Sequence, residues 1–250
     1  MSAAALVVAR APSAGAAKPE LAPLLDADRR AALQALLIRR AAAWAVAAAA
    51  PGAAYVAVEA PLDEIREPLP PGSTAADVER PVDEVRSPPP PGSADRQLDE
   101  LRSLLPPGVT AFAQEGREPA EALAAAIARI GRGPLLIAGT DCPRLSAAHA
   151  TAALADLAAG CDVVVGATLE GGWYLAGLRE PRPELLTVAP AGWGDEGGFE
   201  LVLRRAAALG AEVGMLRHER LLVAPPDAAA LLADPLLPAD LRAALAATAA

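Results

Sequence analysis

Short apolar runs alternate along this chain with longer stretches rich in alanine and leucine. Continuous apolar runs of this kind are typical of strands that are buried on both faces of a sheet. They predict strands at 4–9, 53–59, 109–114, 134–138 and 162–167, with further extended segments at 173–178 and 213–216. Strands that alternate with helices indicate a three-layer α/β/α, Rossmann-like fold, in which helices cover both faces of a mostly parallel sheet.

The alanine-rich stretches between the strands predict helices, because each begins near a capping residue or a proline. Asp26 or Asp28 can cap the first helix and Ser146 a later one, since a short polar side chain accepts a hydrogen bond from the first helical turn. Pro51 and Gly52 stop the first helix. The predicted helices lie at about 26–49, 119–130, 146–159 and 199–209, with one more at the C-terminus.

Residues 60–108 interrupt this alternation with three related acidic units at 62–66, 82–86 and 98–102. Each unit is followed by a proline-rich stretch that ends in Pro-Pro-Gly, so each could form one helical turn before proline ends it. Two interpretations of these repeats are open: a flexible loop that has been duplicated, and a repeat that binds a partner. The first is favoured. We therefore expect a single domain over 1–250 with a Pro-rich repeat insertion at about 60–108.

The net charge of the chain argues against some classes of binding partner. A net charge of −9 argues against non-specific binding to nucleic acid or to an anionic membrane. Cys142 and Cys161 do not make a disulfide framework, and the N-terminus lacks the charged region of a signal peptide. We therefore expect a cytoplasmic protein without a membrane span. A small anionic ligand is compatible with this balance, because its site needs only local positive potential.

Three polar residues follow predicted strands and could meet at one edge of the sheet: Lys18, Asp141 and Glu170. Lys18 is the only lysine beside 21 arginines, and a compact ammonium suits phosphate; the alternative is a solvated surface lysine. Asp141 could bind Mg²⁺, which needs oxygen ligands; the alternative is a turn or helix-cap aspartate. His149, His218 and Cys142 are expected to be structural or solvated, since no partner stands at a spacing that activates a nucleophile.

Three segments resemble a known family. Residues 4–21 read Ala-Ala-Leu-Val-Val-Ala-Arg-Ala-Pro-Ser-Ala-Gly-Ala-Ala-Lys-Pro-Glu-Leu, residues 139–143 read Gly-Thr-Asp-Cys-Pro, and residues 170–178 read Glu-Gly-Gly-Trp-Tyr-Leu-Ala-Gly-Leu. They resemble, in the same order and spacing, the motifs of glycosyltransferase-A-like domains in the radical-SAM/selenodomain-associated transferase family. The resemblance covers nearly all of the chain except the insertion.

The resemblance implies a nucleotide-diphospho-sugar transferase fold and a role for each matching residue. A first loop would hold the nucleotide and its phosphates, and a strand-end aspartate would bind a divalent metal. The implied catalytic residues are Asp141 and Glu170, and Asp141 is also the implied Mg²⁺ ligand. The implied nucleotide-binding residues are Arg10, Gly15, Lys18, Gly139 and Thr140. The implied acceptor-side residues are Gly171, Gly172, Trp173 and Trp193. Trp173, Tyr174 and Trp193 could instead be core residues.

The chain also departs from the family pattern, mildly at Arg10, where the family has a lysine, and more strongly at three other positions. Glu20 stands where the family has an arginine, and a carboxylate there opposes phosphate binding. Leu221 and Val223 replace two aspartates that would complete the metal site. Two functions follow: a nucleotide- or nucleotide-sugar-binding transferase, with Mg²⁺-assisted glycosyl or nucleotidyl transfer, or an inactive scaffold or regulatory protein of the same fold. The retained polar residues Lys18, Asp141 and Glu170 favour the first.

Overall fold

The computed structural model describes residues 2–13, 17–58, 93–116, 118–187 and 197–246, and its strands form one mixed sheet. Within these ranges the strands are β1 (Ala4–Ala9), β2 (Ala54–Val58), β3 (Val109–Ala113), β4 (Leu135–Gly139), β5 (Val163–Thr168), β6 (Trp173–Leu178) and β7 (Val213–Glu219). Their order is β3-β2-β1-β4-β6-β5-β7. Of these strands β6 alone runs antiparallel to its neighbours. The predicted mostly parallel α/β sheet is confirmed.

Helices connect the strands at nearly every predicted place. They are α1 (Ala27–Ala48), α2 (Ser93–Leu104), α3 (Pro119–Ile130), α4 (Ala147–Ala159), α5 (Gly198–Ala208), α6 (Pro225–Ala233) and α7 (Ala239–Ala246). Asp26 caps α1 as predicted, because its Oδ1 accepts the Arg29 amide at 2.8 Å. The single C-terminal helix that we predicted is wrong. Pro235 and Pro238 separate α6 from α7, since proline cannot continue a helix.

The core lies on both faces of the sheet, as three layers require. Side chains alternate along a strand, so Val7 packs on one face with Ile38 of α1, whereas Leu6 packs on the other with Ile127 of α3. A third apolar cluster joins the start of α1 to α6 and α7 and contains Leu222, which is fully buried. The chain after β7 is therefore fixed against α1.

The third acidic unit is part of the packed domain. It lies within α2, which runs for 12 residues, so the prediction of one isolated turn is wrong there. Leu101 is fully buried, and Leu98 and Leu104 pack against the same core. This three-residue spacing places the leucines on one helix face, and that apolar face explains why the helix extends beyond a single turn. The first two units lie outside the described residues.

The strand order creates a crevice beside β1. From β1 the chain builds outward through β2 to β3 on one side, whereas β4, β6, β5 and β7 lie on the other. In open α/β sheets ligands bind where the order reverses in this way, outside the carboxyl ends of the strands. The ends of β1 and β4, at Ala9 and Gly139, flank that position.

Among the described residues, α1 is long and apolar enough to cross a membrane by its composition, with a mean hydropathy of 1.3 over its best window. About 44% of that window is buried inside the fold. Ile38, Ala42 and Ala45 have no exposed surface and pack on β1 and β2. We interpret α1 as a core helix on these contacts.

Candidate functional site at the ends of β1 and β4

Lys18 and Asp141 form an ion pair at the crevice. The Nζ atom of Lys18 lies 2.6 Å from Oδ1 of Asp141, with 6% of the lysine side chain and 39% of the aspartate side chain exposed. Lys18 Nζ also donates a hydrogen bond to the carbonyl oxygen of Leu222 at 2.8 Å. The ammonium is thus buried between a carboxylate and a main-chain oxygen, and solvent reaches the pair from the Asp141 side.

The Lys18 backbone is held in an unusual conformation. Its φ of 48° and ψ of 54° are left-handed, and it is the one non-glycine residue with positive φ in the described part of the chain. This conformation costs an L-residue about 1–2 kcal/mol. Pro19 follows directly and opens a short 3-10 helix, Pro19–Leu21, whose Leu21 is fully buried. The buried Leu21 side chain and the ion pair therefore fix the loop in a conformation that aims the lysine at Asp141.

The return segment, residues 220–224, brings the chain from the end of β7 back across the carboxyl edge of the sheet to β4. The amide of Leu222 donates to the carbonyl oxygen of Asp141 at 2.8 Å, while its own carbonyl accepts Lys18. Leu222 is therefore bonded on both sides of its backbone to the two charged residues. Sequence reasoning missed this role, because it depends on main-chain atoms and not on the identity of a side chain.

Gln34 is a second contributor that sequence reasoning missed. It lies on α1, is 3% exposed, and its Nε2 donates to the carbonyl of Arg10 at 3.2 Å and to Oγ1 of Thr140 at 3.4 Å. Thr140 Oγ1 in turn lies 3.0 Å from Oδ1 of Asp141 and donates to it. The amide therefore ties the ends of β1 and β4 together. A polar residue next to the buried leucines Leu33 and Leu37 of a predicted helix was the available signal.

Glu170 lies at the same edge and is linked to the return segment through Arg220. Arg220 Nη1 is 3.3 Å from Oε1 of Glu170 and 3.2 Å from Oδ1 of Asp227. The Asp227 carboxylate also accepts the amides of Val223 and Ala224, at 3.3 and 2.9 Å, where it caps α6. Glu170 has 40% of its side chain exposed. It is held by an arginine, in a position open to a ligand.

The predicted acceptor-side residues that the structure describes lie partly in a turn and partly in the core. Gly171, with a φ of 90°, and Gly172 form the turn between β5 and β6, where the Gly172 amide donates to Thr168 Oγ1 at 2.9 Å. Trp173 is 3% exposed and belongs to the apolar core, which favours the packing alternative for its indole. Gly15 and Trp193 lie outside the described residues.

The atoms around Asp141 that could act as metal ligands do not fit a divalent cation well. Its Oδ1 already accepts Thr140 and faces the Lys18 ammonium, and the adjoining positions 221 and 223 are apolar. Magnesium requires near-octahedral oxygen coordination. No cluster of three or more His, Cys, Asp or Glu side chains suited to a metal occurs within the described residues.

Solved structures share this fold. A protein from Desulfovibrio desulfuricans G20, proposed to be a nucleotide-diphospho-sugar transferase, superimposes with a TM-score of 0.68 at 18% identity, covering 98% of this chain and 95% of that one. A cytidylyltransferase from Leptospira borgpetersenii serovar Hardjo-bovis gives 0.51 at 11% identity, covering 91% and 83%. The chain therefore has the nucleotide-diphospho-sugar transferase fold that the sequence motifs predicted.

Residues 90–193 match the model of an uncharacterised protein family that is conserved in bacteria, DUF2064. The match begins just before α2, so it includes the third acidic unit and extends through β6. Curated protein sequences give no significant match to the chain.

Proposed function

We propose that the protein binds a nucleotide or nucleotide sugar at the carboxyl ends of β1 and β4 and transfers a glycosyl or nucleotidyl group. The observation that supports this most directly is the Lys18–Asp141 pair, 2.6 Å apart, at the crevice of a nucleotide-diphospho-sugar transferase fold. Arg10, at the end of β1, and Lys18 supply the positive charge for phosphate. Gly139 and Thr140 line the nucleotide side, and we include Gly15 there from its motif position.

The transfer itself requires alignment of the two reactants and stabilisation of the charge that develops between them. Asp141 and Glu170 are partly exposed carboxylates at the edge, and we assign them the catalytic positions. Arg220 fixes the orientation of Glu170, as Lys18 and Thr140 fix that of Asp141. Mg²⁺ and a cytoplasmic location stay predictions.

Calorimetric titration with CTP, GTP and UDP-glucose, each with and without Mg²⁺, tests the proposal. We expect at least one of them to bind, and Asp141→Asn to change the affinity. Asp162→Asn is the matched control, because Asp162 pairs with Arg179 at the start of β5, at the opposite edge of the sheet. The absence of heat with every nucleotide would refute the proposal.

A second function has specific support. The Lys18–Asp141 pair and the apolar Leu221 and Val223 are also what an inactive scaffold or regulatory protein of this fold would contain. Turnover of a nucleotide sugar or nucleoside triphosphate that disappears in Asp141→Ala would exclude this alternative. Nucleotide binding without turnover, in a protein whose fold is intact, would support it.

A further inference from the structure

We propose that the Lys18 ammonium is a built-in cation that takes the place of a divalent metal at Asp141. The inference rests on the proposed nucleotide site and specifies how that site would hold phosphate. It means that the nucleotide is bound without a metal ion held by the protein's own carboxylates.

Lys18 Nζ lies where a cation bound to Asp141 would lie. It contacts one carboxylate oxygen, at 2.6 Å from Asp141, and one carbonyl oxygen, at 2.8 Å from Leu222. Anionic and carbonyl oxygens are also the ligands that a hard cation takes. The side chain is 6% exposed, so the ammonium is held at this point by its surroundings. A positive charge thus already occupies the inner side of Asp141.

The return segment supplies no second carboxylate beside Asp141. Residues 221 and 223 are the positions at which the sequence resemblance expects aspartates, and here they are leucine and valine. Leu222, between them, offers a cation only its main-chain oxygen, and that oxygen accepts a hydrogen bond from Lys18. The segment therefore reaches the end of β4, but the oxygen that it supplies is neutral. One neutral oxygen and one carboxylate suit a monovalent ammonium better than a dication.

The Lys18 ammonium has one N–H group left with which to bind a ligand. An ammonium has three N–H groups, and two of them are directed to Asp141 and Leu222. The third has no partner among the described residues, while Asp141 leaves the pair accessible with 39% of its side chain exposed. A phosphate oxygen at this opening would complete the set, because lysine binds phosphate as a point charge.

Two titrations test this inference, and the first uses the wild-type protein. The affinity for the nucleotide found by calorimetry is measured in EDTA and in excess Mg²⁺, and we expect the two dissociation constants to agree within about threefold. Binding that requires Mg²⁺ would overturn the inference and leave the proposed function standing. The absence of binding in both conditions would refute the proposed function, and the second titration then decides the inference alone.

The second titration measures Mn²⁺ binding by electron paramagnetic resonance without nucleotide. We expect none at Asp141 in the wild type. In Lys18→Met we expect a weak new site, because the Asp141 carboxylate and the Leu222 carbonyl are then free and water can supply the remaining ligands, and this site should disappear when Asp141→Asn is added. Lys18→Gln is a second variant, should Lys18→Met fail to fold, and Arg179→Met is the matched control at the opposite edge of the sheet. Wild-type Mn²⁺ binding that depends on Asp141 would overturn the inference. So would the absence of a new site in folded Lys18 variants, because the lysine would then displace no cation.

Discussion

His149 on α4 and Glu219 at the end of β7 form a buried hydrogen bond, with Nε2 and Oε1 3.2 Å apart and each side chain 3% exposed. The Ser146 amide donates to His149 Nδ1 at 3.1 Å, so the ring proton lies on Nε2 and is donated to Glu219. Arg217 Nε lies 3.2 Å from His149 Nε2 and 2.8 Å from Glu219 Oε1, and with Nε2 protonated it donates to the carboxylate. This confirms the structural role predicted for His149. The bond also anchors the start of the return segment, and thereby supports the Lys18–Asp141 pair.

Glu219 should make the stability of the protein depend on pH. Burial opposes its ionisation, but the hydrogen bond from His149 and the charges of Arg144 and Arg217 outweigh burial and hold its pKa below the ordinary value of 4.5. The folded state therefore prefers the carboxylate, and its stabilisation is complete above pH 4.5 and is lost as the pH falls through the lower folded-state pKa.

We predict that Glu219→Gln lowers the free energy of unfolding by about 2 kcal/mol at neutral pH, because charged hydrogen bonds are lost. The difference from the wild type should shrink as the pH falls below 4.5, because the folded state then loses the contribution of the ionised carboxylate. Urea denaturation of both proteins at about pH 6 and about pH 3 measures this. Glu180→Gln, at an exposed glutamate, is the control. A difference that stays constant with pH would contradict the argument.

The two halves of the Lys18–Asp141 pair should respond unequally to mutation. Asp141→Asn leaves an ammonium that is 6% exposed without its counter-charge, whereas Lys18→Met leaves a carboxylate that is 39% exposed and that water can solvate. We expect a loss of about 3 kcal/mol for Asp141→Asn, and clearly less for Lys18→Met. Chemical denaturation of the single and double variants checks this, and equal losses would show that burial of the lysine does not dominate.

The two cysteines should differ in reactivity. Burial, with a smaller contribution from the charge of Glu219, raises the pKa of Cys142 to about 12. The pKa of Cys161 is also raised, first by burial and then by nearby carboxylates, but its side chain is partly exposed. Since the thiolate is the reactive form, we expect iodoacetamide at neutral pH to label Cys161 slowly and Cys142 only after unfolding. Peptide mass spectrometry, with Cys161→Ser as the control, would detect the opposite order.

Gly166 should tolerate no side chain. A Cβ atom added there would lie 2.5 Å from Cζ of Tyr174, whose ring is 2% exposed and whose hydroxyl donates to the Arg217 carbonyl at 3.1 Å. The ring cannot move without breaking that bond, so we predict that Gly166→Ala costs about 2 kcal/mol of stability. Gly139→Ala is the matched control in β4, on the other side of β6, where nothing lies within 4 Å of the added atom. Thermal unfolding compares the two variants, and equal melting temperatures would contradict the prediction.

The pattern of apolar residues predicted most of the secondary structure, because strands buried on both faces need unbroken apolar runs. The pattern did not show that β6 runs antiparallel, since a buried strand has the same composition in either direction. It also underestimated α2. The prolines around the third acidic unit suggested a single turn, whereas burial of Leu101 stabilises the longer helix.

The candidate site was predicted in part. Lys18 and Asp141 do meet at one edge, because they follow parallel strands that are neighbours in the sheet. Glu170, the third residue expected there, lies at the same edge, where it contacts Arg220. The direct contact of Lys18 with Asp141 was not predicted, nor was the part played by Gln34. The contacts of Lys18 with Asp141 and of Gln34 with Thr140 join residues at least 106 positions apart, and no local pattern reports such distances.

The sequence by itself determined the class of fold, the order of nearly all elements and the polar residues at the strand ends. It did so because backbone hydrogen bonding and burial impose local periodicities that can be recognised along the chain. Only the tertiary structure decided what the sole lysine faces. Its partners, a carboxylate after β4 and a main-chain carbonyl after β7, are brought together by the packing of distant segments and by a carbonyl group that every residue possesses.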